Sequence, residues 1–314
     1  MSDVPLRLGT RRSPMALAQS LQIARLITEL TGRPVELTGI SNPGDTSAAD
    51  LTQIGGTGVF VSGLRTSLLA GEVDIAVHSL KDLPTGQPAG IVLAAVPARD
   101  DPRDALVAAG GMKLADLTAG ARIGTGSPRR AAQLLMIRPD VRPVPIRGNA
   151  GTRLGKVDTG EVDAVVLAYS GLARIARLDA VTQVFEPDEM LPAPGQGALA
   201  VECPADRPDL ADLLASIDDA QSRAAITAER ALLATLQAGC TAPVGAYAAG
   251  TDALRLHAVV AAADGGTALR GSAGGPASEA ERLGRAVAAD LLARGAGMYT
   301  AVSGGHISNG DDAK

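Results

Sequence analysis

Apolar positions along the chain alternate between a strand-like and a helix-like period. A strand-like run at 4–9 leads into Ser13 and Pro14, an N-cap residue followed by proline at the first helical position. The spacing after them predicts a helix over 14–31 that stops at Gly32. Its apolar residues recur every three or four positions: Leu17, Leu21, Ala24, Ile27 and Leu30. Continued alternation of this kind predicts an α/β fold with mostly parallel sheets.

Two pieces of the first half recur, in the same order, later in the chain. The segment 6-LRLGTRRSPMA-16 resembles 122-RIGTGSPRRAA-132, since both have a strand, Gly-Thr, basic residues and a Ser-Pro helix start. The segment 71-GEVDIAVHSLKDL-83 resembles 160-GEVDAVVLAYSGLAR-174, since both have a turn that leads into an apolar strand. The first half also carries extra residues, among them the glycine-rich loop 44–58. Two pairs of similar segments in the same order predict two structurally related lobes.

Polar, proline-bearing segments at 97–105 and 191–203 predict two crossings between these lobes. After about residue 218 the pattern changes to a helix at 221–236, a hairpin at 254–273 around Asp264-Gly265-Gly266, and a closing helix at 277–294. We therefore expect four parts: a first lobe of 1–98 and 198–216, a second lobe of 103–192, an α+β domain of 219–302, and a tail of 303–314.

Composition limits the classes of partner. The 314 residues are 46% hydrophobic and 20% charged, which suits two or three folded domains. Aromatic residues make up 2% of the chain and the net charge is −5, so neither nucleic acid nor an anionic membrane is an expected partner. The N-terminus lacks an apolar signal-peptide core, and no apolar run reaches transmembrane length. We expect a soluble cytoplasmic protein.

Cys240 lies in a loop of small residues, 236-LQAGCTAPVGAYA-248, and the only other cysteine is Cys203. Such a thiol is inert, paired in a disulfide, a metal ligand, a nucleophile or an attachment point. The chain has no CxxC pair and only three histidines, which argues against a disulfide framework and a metal site. The remaining alternatives stay open on composition alone. Cys203 is expected to be a buried strand residue.

Arginines surround both Ser-Pro helix starts. Arg11 and Arg12 flank the first start, and Arg129 and Arg130 lie in the first turn of the second helix. Positive charge at a helix N-terminus is disfavoured by the helix dipole. A bound anion between these residues would reverse that effect, and the carboxyl ends of parallel strands are where such ligands bind.

A second group of cations lies in 145-PIRGNAGTRLGK-156 and beyond it. Arg147 ends a strand, Gly148 allows close approach of a ligand to the backbone, and Arg153 starts the next helix. With Arg174 and Lys81 they predict an arginine-lined cleft for carboxylates or phosphates. The chain has neither a Walker A motif nor GxGxxG, so a nucleotide is not expected.

The segment 78-HSLKDLP-84 supplies the concentrated acid–base candidates. Lys81 and Asp82 are neighbours in a loop after a strand. A carboxyl group in a cationic cleft can protonate a leaving group and then stabilise the cation that forms. A helix-capping aspartate explains Asp82 at least as well from these residues alone. His78 is expected to be a packed residue at the strand end.

Seven stretches together resemble the porphobilinogen deaminase (hydroxymethylbilane synthase) family. They are LRLGTRRSPMALAQ, VDIAVHSLKDLPT, DDPRDAL, IGTGSPRRAAQL, IRGNAGTRLGK, LPAPGQGALAVEC and TAERALLATLQAGCTAPVGAYA, and they run in the family's order over nearly the whole chain. The resemblance implies two lobes like those of periplasmic binding proteins, with a cleft between them, and a small third domain. The fold class expected is therefore α/β with a C-terminal α+β domain.

The resemblance also implies a reaction. Family members are transferases of tetrapyrrole biosynthesis that join four porphobilinogen molecules head to tail, lose ammonia at each step, and release hydroxymethylbilane. The cysteine matching Cys240 carries a dipyrromethane cofactor through a thioether. Asp82 matches the catalytic carboxylate, which protonates the departing amine and stabilises the azafulvenium cation. A monomer is expected.

The resemblance further assigns cofactor and substrate contacts, because each pyrrole carries an acetate and a propionate. The matching positions are Arg11, Ser13, Lys81, Thr125, Ser127, Arg129, Arg130, Arg147, Gly148, Arg153, Arg174 and Gln196. The chain departs from the family at Gln53 and Thr57, where many members have lysines that touch the growing chain or shape the loop over the cleft.

A different class of function fits composition and lobes equally well, namely a cytoplasmic two-lobed binding protein for a polycarboxylate. The lack of a secretion signal argues against a solute receptor, and an anion sensor would need an output domain, which is not evident. A third alternative is a catalytically inactive relative, and the joint presence of Asp82 and Cys240 argues against it. The enzyme is the expected function.

Overall fold

The computed structural model describes residues 4–40, 61–239 and 242–300. The strands in this part of the chain are β1 (Leu6–Thr10), β2 (Val35–Gly39), β3 (Ile75–Ser79), β4 (Ile91–Ala95), β5 (Asp104–Ala108), β6 (Arg122–Gly124), β7 (Arg142–Val144), β8 (Ala164–Ala168), β9 (Gln183–Phe185), β10 (Leu199–Pro204), β11 (Val244–Ala249), β12 (Ala253–Ala261) and β13 (Ala268–Pro276). The helices are α1 (Pro14–Thr31), α2 (Ser62–Leu69), α3 (Pro128–Ile137), α4 (Ala150–Asp158), α5 (Tyr169–Arg174), α6 (Pro208–Ala215), α7 (Ala220–Thr235), α8 (Ala280–Ala293) and α9 (Gly297–Thr300).

Each lobe is built on one five-stranded sheet. The first lobe has the order β2-β1-β3-β10-β4, and the second has β7-β6-β8-β5-β9. The two orders agree position by position, with β1 corresponding to β6 and β3 to β8. Helices α1 and α3 follow the corresponding strands β1 and β6, and both begin with proline after a capping serine. The predicted relation between the two halves is confirmed.

The Gly-Glu-Val-Asp turns at 71–74 and 160–163 have the same structure in both lobes. The glycine of each turn has a φ of +70°, in the left-handed region where glycine has no steric penalty. The aspartate that ends each turn accepts a hydrogen bond from an arginine backbone N–H in the first strand of its own sheet. The distances are 2.9 Å from Arg7 and 2.7 Å from Arg122. The turn therefore fixes the start of the central strand in both lobes.

The strands that enter each lobe from the other one run antiparallel to their neighbours. β10 pairs antiparallel with β3 and β4, and β5 pairs antiparallel with β8 and β9, while the remaining pairings of both sheets are parallel. The sheets are thus more mixed than the mostly parallel sheets that the sequence pattern predicts. As a result, the first residue of β5, Asp104, lies beside Ala168 at the end of β8. Likewise Leu199 at the start of β10 lies beside Ser79 at the end of β3.

The third domain is a three-stranded antiparallel sheet, β11-β12-β13, with α7 and α8 packed on it. Its core is made largely of alanine, leucine and valine. The turn between β12 and β13 includes Gly265 at φ +72°, which confirms the predicted hairpin. The closing helix begins at Ala280 rather than at residue 277, because residues 277–279 form a 3₁₀ turn first. With this domain, the predicted fold class is confirmed; the exact domain boundaries stay a prediction.

Two polar side chains that were expected to be structural are buried in the first lobe. His78 in β3 is 5% exposed, and Cys203 in β10 is fully buried. Burial raises the pKa of the Cys203 thiol to about 11, so little thiolate is present at neutral pH. Both expectations are confirmed. No helix within the described ranges is long and apolar enough to cross a membrane.

Candidate active site

The predicted ligand-binding residues lie at the strand ends of the two lobes. Arg11 and Ser13 follow β1, whereas Lys81 and Asp82 follow β3. In the second lobe the predicted residues follow the ends of β6, β7 and β8: Thr125, Ser127, Arg147, Gly148, Arg153 and Arg174. The start of α1 meets α5 of the second lobe, so these two strand edges face each other. The structure therefore brings the described members of the predicted set to one interlobe region.

Capping serines begin the helix at each of these edges. Ser13 Oγ accepts a hydrogen bond from the Ala16 N–H at 3.3 Å, and Ser127 Oγ accepts one from the Arg130 N–H at 3.5 Å. Thr125 is buried, and its Oγ1 accepts a hydrogen bond from the Ser127 N–H at 3.1 Å. The free N–H groups and the positive dipole end of such helices favour an anion.

Arg129 and Arg130 are buried together against one carboxylate, that of Asp104. The Asp104 Oδ2 accepts a hydrogen bond from Arg129 Nη1 at 2.7 Å. Its Oδ1 accepts bonds from Arg130 Nε at 3.0 Å and from Arg130 Nη2 at 2.7 Å. The positive charge in the first turn of α3 was expected to require a bound anion. A carboxylate of the protein supplies that compensation instead.

The pKa of Asp104 lies well below its usual range. Burial alone would raise it, but the charges and hydrogen bonds of Arg129 and Arg130 outweigh burial. The carboxylate is therefore ionised at every pH at which the protein is used. Arg129 itself is 3% exposed and also donates to the Leu191 carbonyl at 2.7 Å. In this arrangement Arg129 holds the base of the site rather than facing the cleft.

Gln196 joins this buried cluster to the turn after β3 in the other lobe. Its Nε2 donates to Asp104 Oδ1 at 2.8 Å and to the Pro102 carbonyl at 2.6 Å. Its Oε1 accepts a hydrogen bond from Lys81 Nζ at 3.3 Å. Gln196 is fully buried. One side chain therefore links the loop after β3 to the arginines at the start of α3.

Lys81 lies in a site that disfavours its charge. Burial and the positive charge of Arg130 lower the pKa of Lys81 to about 8, although Asp82 and Asp104 oppose the shift. Near neutral pH the side chain is still mainly protonated. A bound anion would favour the charged form.

Asp82 lies on a short 3₁₀ turn, Leu80–Asp82, directly after β3. Its neighbours Leu80 and Leu83 are buried in an apolar cluster, whereas Asp82 itself is exposed. The turn therefore has a fixed apolar base and presents its carboxyl group to solvent. A group placed in this way can exchange a proton with a small molecule in the cleft.

Arg153 is a cation of the second lobe that is suited to an anionic ligand. Its side chain is half-buried, and its Nε donates to the Gly148 carbonyl at 2.9 Å. Within the described residues no carboxylate lies within ion-pair distance of it, and burial together with Arg130 lowers its pKa. Arg147 is nearby and exposed. Gly148 has a φ of +101°, and a side-chain carbon there would meet Thr152 at 2.7 Å, so this loop requires glycine.

Arg174, like Arg129 and Arg130, forms an ion pair with a carboxylate of the protein itself. Its guanidinium forms an ion pair with Asp100 at 2.7 Å and donates to the Gly197 carbonyl at 2.8 Å. Both partners belong to the two crossing segments between the lobes. Arg174 therefore ties the second lobe to its hinge, and its predicted ligand contact stays a prediction.

Two acids that are buried beside the crossing segments between the lobes were not singled out from the sequence. The first is Asp104, which the motif DDPRDAL contains at the start of a strand; its neighbouring acids hid it. The second is Glu229 in α7, which accepts hydrogen bonds from Arg99 Nη1 at 2.6 Å, Gly195 N at 2.7 Å and Ala248 N at 2.8 Å. Glu229 is fully buried and joins the third domain to both crossings. The sequence signal that could have revealed Glu229 was an acidic residue within the amphipathic helical pattern TAERALLA.

Three predicted features lie outside the described residues. They are the attachment residue Cys240, the loop positions Gln53 and Thr57, and the tail 303–314. The described chain approaches Cys240 from α7, which ends at Thr235, and resumes at residue 242.

Comparison with known families gives this geometry its context. The model described as "Porphobilinogen deaminase, dipyromethane cofactor binding domain" matches residues 6–212, and "Porphobilinogen deaminase, C-terminal domain" matches residues 224–293. The chain belongs to the porphobilinogen deaminase family. The match includes both lobes with their strand-edge residues, as well as the helix that leads to Cys240.

Several relatives share this family's name and cover almost all of the chain. A porphobilinogen deaminase of Thermobifida fusca is 59% identical over 311 aligned positions, and the match covers 96% of this chain and 97% of the relative. Porphobilinogen deaminase 1 of Streptomyces coelicolor is 54% identical, with 94% and 97% covered. One solved structure with a similar fold is a periplasmic substrate-binding protein of an ABC transporter from Coxiella burnetii. It has a TM-score of 0.43 and 16% identity, and the match covers 68% of this chain and 91% of that one.

Proposed function

We propose that this chain is a transferase that joins four porphobilinogen molecules head to tail, with loss of ammonia, into the linear tetrapyrrole hydroxymethylbilane. Family membership supports this function over a binding protein for a polycarboxylate. The observation that carries it is the placement of Asp82. This carboxyl group is exposed on a turn with a buried base, and Lys81 of the same turn is linked through Gln196 to the cations of the other lobe.

Asp82 acts as the general acid in this proposal. It gives a proton to the amine of porphobilinogen, and ammonia leaves. The resulting carboxylate then faces the cation that remains on the pyrrole and stabilises it through its charge. Lys81 and the arginines keep the side-chain carboxylates of the substrate away from Asp82, so that the acid meets only the amine.

The cationic side of the cleft suits a dipyrromethane cofactor, which carries four carboxylates. Arg153 is half-buried without a carboxylate partner among the described residues, and the N-termini of α1 and α3 add donors that favour anions. Arg11, Arg147, Arg153 and Lys81 would hold its acetates and propionates. When bound, the cofactor supplies the pyrrole carbon on which the chain grows. Cys240 is the proposed attachment point through a thioether.

Intact mass of the denatured protein tests this assignment. The wild type is expected to exceed its polypeptide mass by two pyrrole units, and Cys240→Ala is expected to have the bare mass. Cys203→Ala is the matched control, because that thiol is buried in β10 and should leave the added mass in place. An added mass that survives in Cys240→Ala would contradict the attachment. A wild type that consumes no porphobilinogen even after incubation with it would contradict the function.

The charge of Lys81 provides a pH test of the cleft. Because its pKa is lowered to about 8, Lys81 loses most of its charge between pH 7 and pH 9. Cofactor-free Cys240→Ala protein should therefore bind benzene-1,3,5-tricarboxylate about three- to tenfold more weakly at pH 9 than at pH 7, because the protonated fraction of Lys81 falls by about tenfold between them. Lys81→Arg, which keeps its charge, should lose less than twofold. Calorimetric titration measures both, with exposed Lys113→Arg as the control. Equal weakening in Lys81→Arg would contradict this assignment.

We further propose that the enzyme is a cytoplasmic monomer with the domain boundaries given above. The crossing contacts of Arg174 and Arg99 support a hinge between the two lobes. Addition of carboxylates at a fixed acid requires motion of the lobes or of the loop over the cleft.

A further inference from the structure

Helix α7 of the third domain contacts the loop that carries Asp82. Ile226 in α7 packs in the same apolar cluster as Leu80 and Leu83, which flank the Lys81-Asp82 pair. One turn further along the helix, Arg230 reaches the same loop. α7 ends at Thr235, shortly before Cys240. The helix thus connects the proposed acid to the proposed attachment residue.

Arg230 uses its guanidinium on backbone carbonyls directly after Asp82. Its Nη2 donates to the Pro84 carbonyl at 2.7 Å and to the Thr85 carbonyl at 3.3 Å. Its Nη1 donates to the Leu83 carbonyl at 3.3 Å. These three residues lie outside any helix or strand, so no sheet or helix neighbour fixes their carbonyls. The side chain of Arg230 therefore holds the three consecutive backbone carbonyls that directly follow Asp82.

The surroundings of Arg230 show that this contact does not arise from surface charge pairing. Within the described residues Arg230 has no carboxylate in an ion pair, and burial lowers its pKa. An open pocket of about 210 Å³ lies between part of α7 and the first lobe and is lined by Thr85, Leu93 and Arg230 among others. Arg230 therefore reaches the loop along the wall of this pocket.

Arg223 has the same chemistry two turns earlier on the same helix. It lines the same pocket, forms an ion pair with Asp218 at 2.7 Å, and donates to the Ala94 carbonyl at 2.9 Å. It therefore joins α7 to strand β4 and does not touch the catalytic turn. Substitution of Arg223 therefore tests the docking of the third domain alone, whereas substitution of Arg230 also tests the position of the loop after Asp82.

We infer that Arg230 is a positioning residue for the reaction: it fixes the carbonyls of residues 83–85 and so holds the turn that carries Asp82 against α7. The inference rests on the proposed function. Arg230 touches neither the substrate nor the reacting atoms. Its effect should therefore appear in the rate of the chemical step and leave substrate binding by the arginines of the cleft largely unchanged.

The test compares Arg230→Gln with Arg223→Gln in the full-length, cofactor-bearing enzyme. Arg230→Gln is expected to lower kcat at least fivefold, with KM for porphobilinogen within twofold of the wild type and the cofactor mass still present. The Leu83 amide, which donates to the Leu80 carbonyl at 3.1 Å, should exchange hydrogen at least tenfold faster. Arg223→Gln should keep kcat and the exchange of the Leu83 amide within twofold. A kcat of Arg230→Gln within twofold of the wild type, or an equal loss in Arg223→Gln, would overturn the inference.

Two further arms complete the test. If Arg230→Gln does not fold, Arg230→Lys replaces it: a single ammonium reaches fewer carbonyls, so an intermediate kcat and intermediate exchange are expected. Wild-type values in Arg230→Lys for both would overturn the inference. If the wild type makes no tetrapyrrole, the proposed function fails by itself. Unchanged exchange of the Leu83 amide in Arg230→Gln would then overturn the positioning role of Arg230 independently of that failure.

Discussion

Asp82→Asn is expected to lower kcat by about 10²–10⁴-fold, which corresponds to about 3–5.5 kcal/mol of transition-state stabilisation. Asparagine has nearly the same size and leaves the apolar base of the turn intact, but it can neither transfer the proton nor carry the compensating negative charge. The loss should fall on kcat, because the arginines that hold the substrate are unchanged.

Steady-state kinetics with porphobilinogen, together with intact mass, measures this effect. The mass should still show the cofactor or a stalled, longer pyrrole chain, since attachment depends on Cys240. Asp82→Glu serves as the control because it restores a carboxyl group at a slightly different reach, and it should recover part of the rate. Turnover of Asp82→Asn within twofold of the wild type would remove Asp82 from the acid role.

Asp104→Asn is expected to destabilise the fold by about 3–5 kcal/mol, because removal of one charge leaves Arg129 and Arg130 buried together without compensation. For a chain of this size the change lowers Tm by roughly 10 °C. Asparagine also replaces one of the two acceptor oxygens with an NH2 donor, so either Arg129 or the pair Arg130 and Gln196 loses its acceptor, and the link to Lys81 should loosen. Activity should fall along with stability.

The pH dependence of this effect has a definite sign. The pKa of Asp104 is depressed in the folded state, so its stabilisation is complete above the unfolded value of about 4 and is lost only as pH falls below it. The difference in unfolding free energy between wild type and Asp104→Asn should therefore be constant from pH 5 to 8 and narrow in acid.

An exposed ion pair provides the comparison for Asp104. Asp209 pairs with Arg207 at 2.8 Å, but both side chains are largely solvated, and Asp209→Asn should cost about 1 kcal/mol or less. Thermal and urea unfolding of both variants measures the contrast. If both substitutions lowered the free energy of unfolding equally, burial could not be the reason for the large contribution of Asp104.

The local features of this protein follow from its sequence. Helix α1 starts at Pro14 and ends at Thr31, as the capping serine, the proline and Gly32 predict, because caps act over a single turn. The hairpin at Gly265 and the turns before β3 and β8 are fixed by residues that are neighbours along the chain. The repeated order of these local signals also predicts two related lobes.

Only the tertiary structure decided which charges meet. Asp104 and Arg130 are 26 positions apart in the sequence, and Lys81 and Gln196 are 115 apart. They come together because β5 and β10 cross from the other lobe and pair antiparallel, which brings the start of each crossing strand to the edge where the parallel strands end. Strand direction and register depend on contacts between distant segments, and no local pattern encodes them. For that reason the sequence predicted arginines at the strand ends, whereas the fold determined that Arg129, Arg130 and Arg174 already pair with carboxylates of the protein and that Arg153 pairs with none in the described part of the chain.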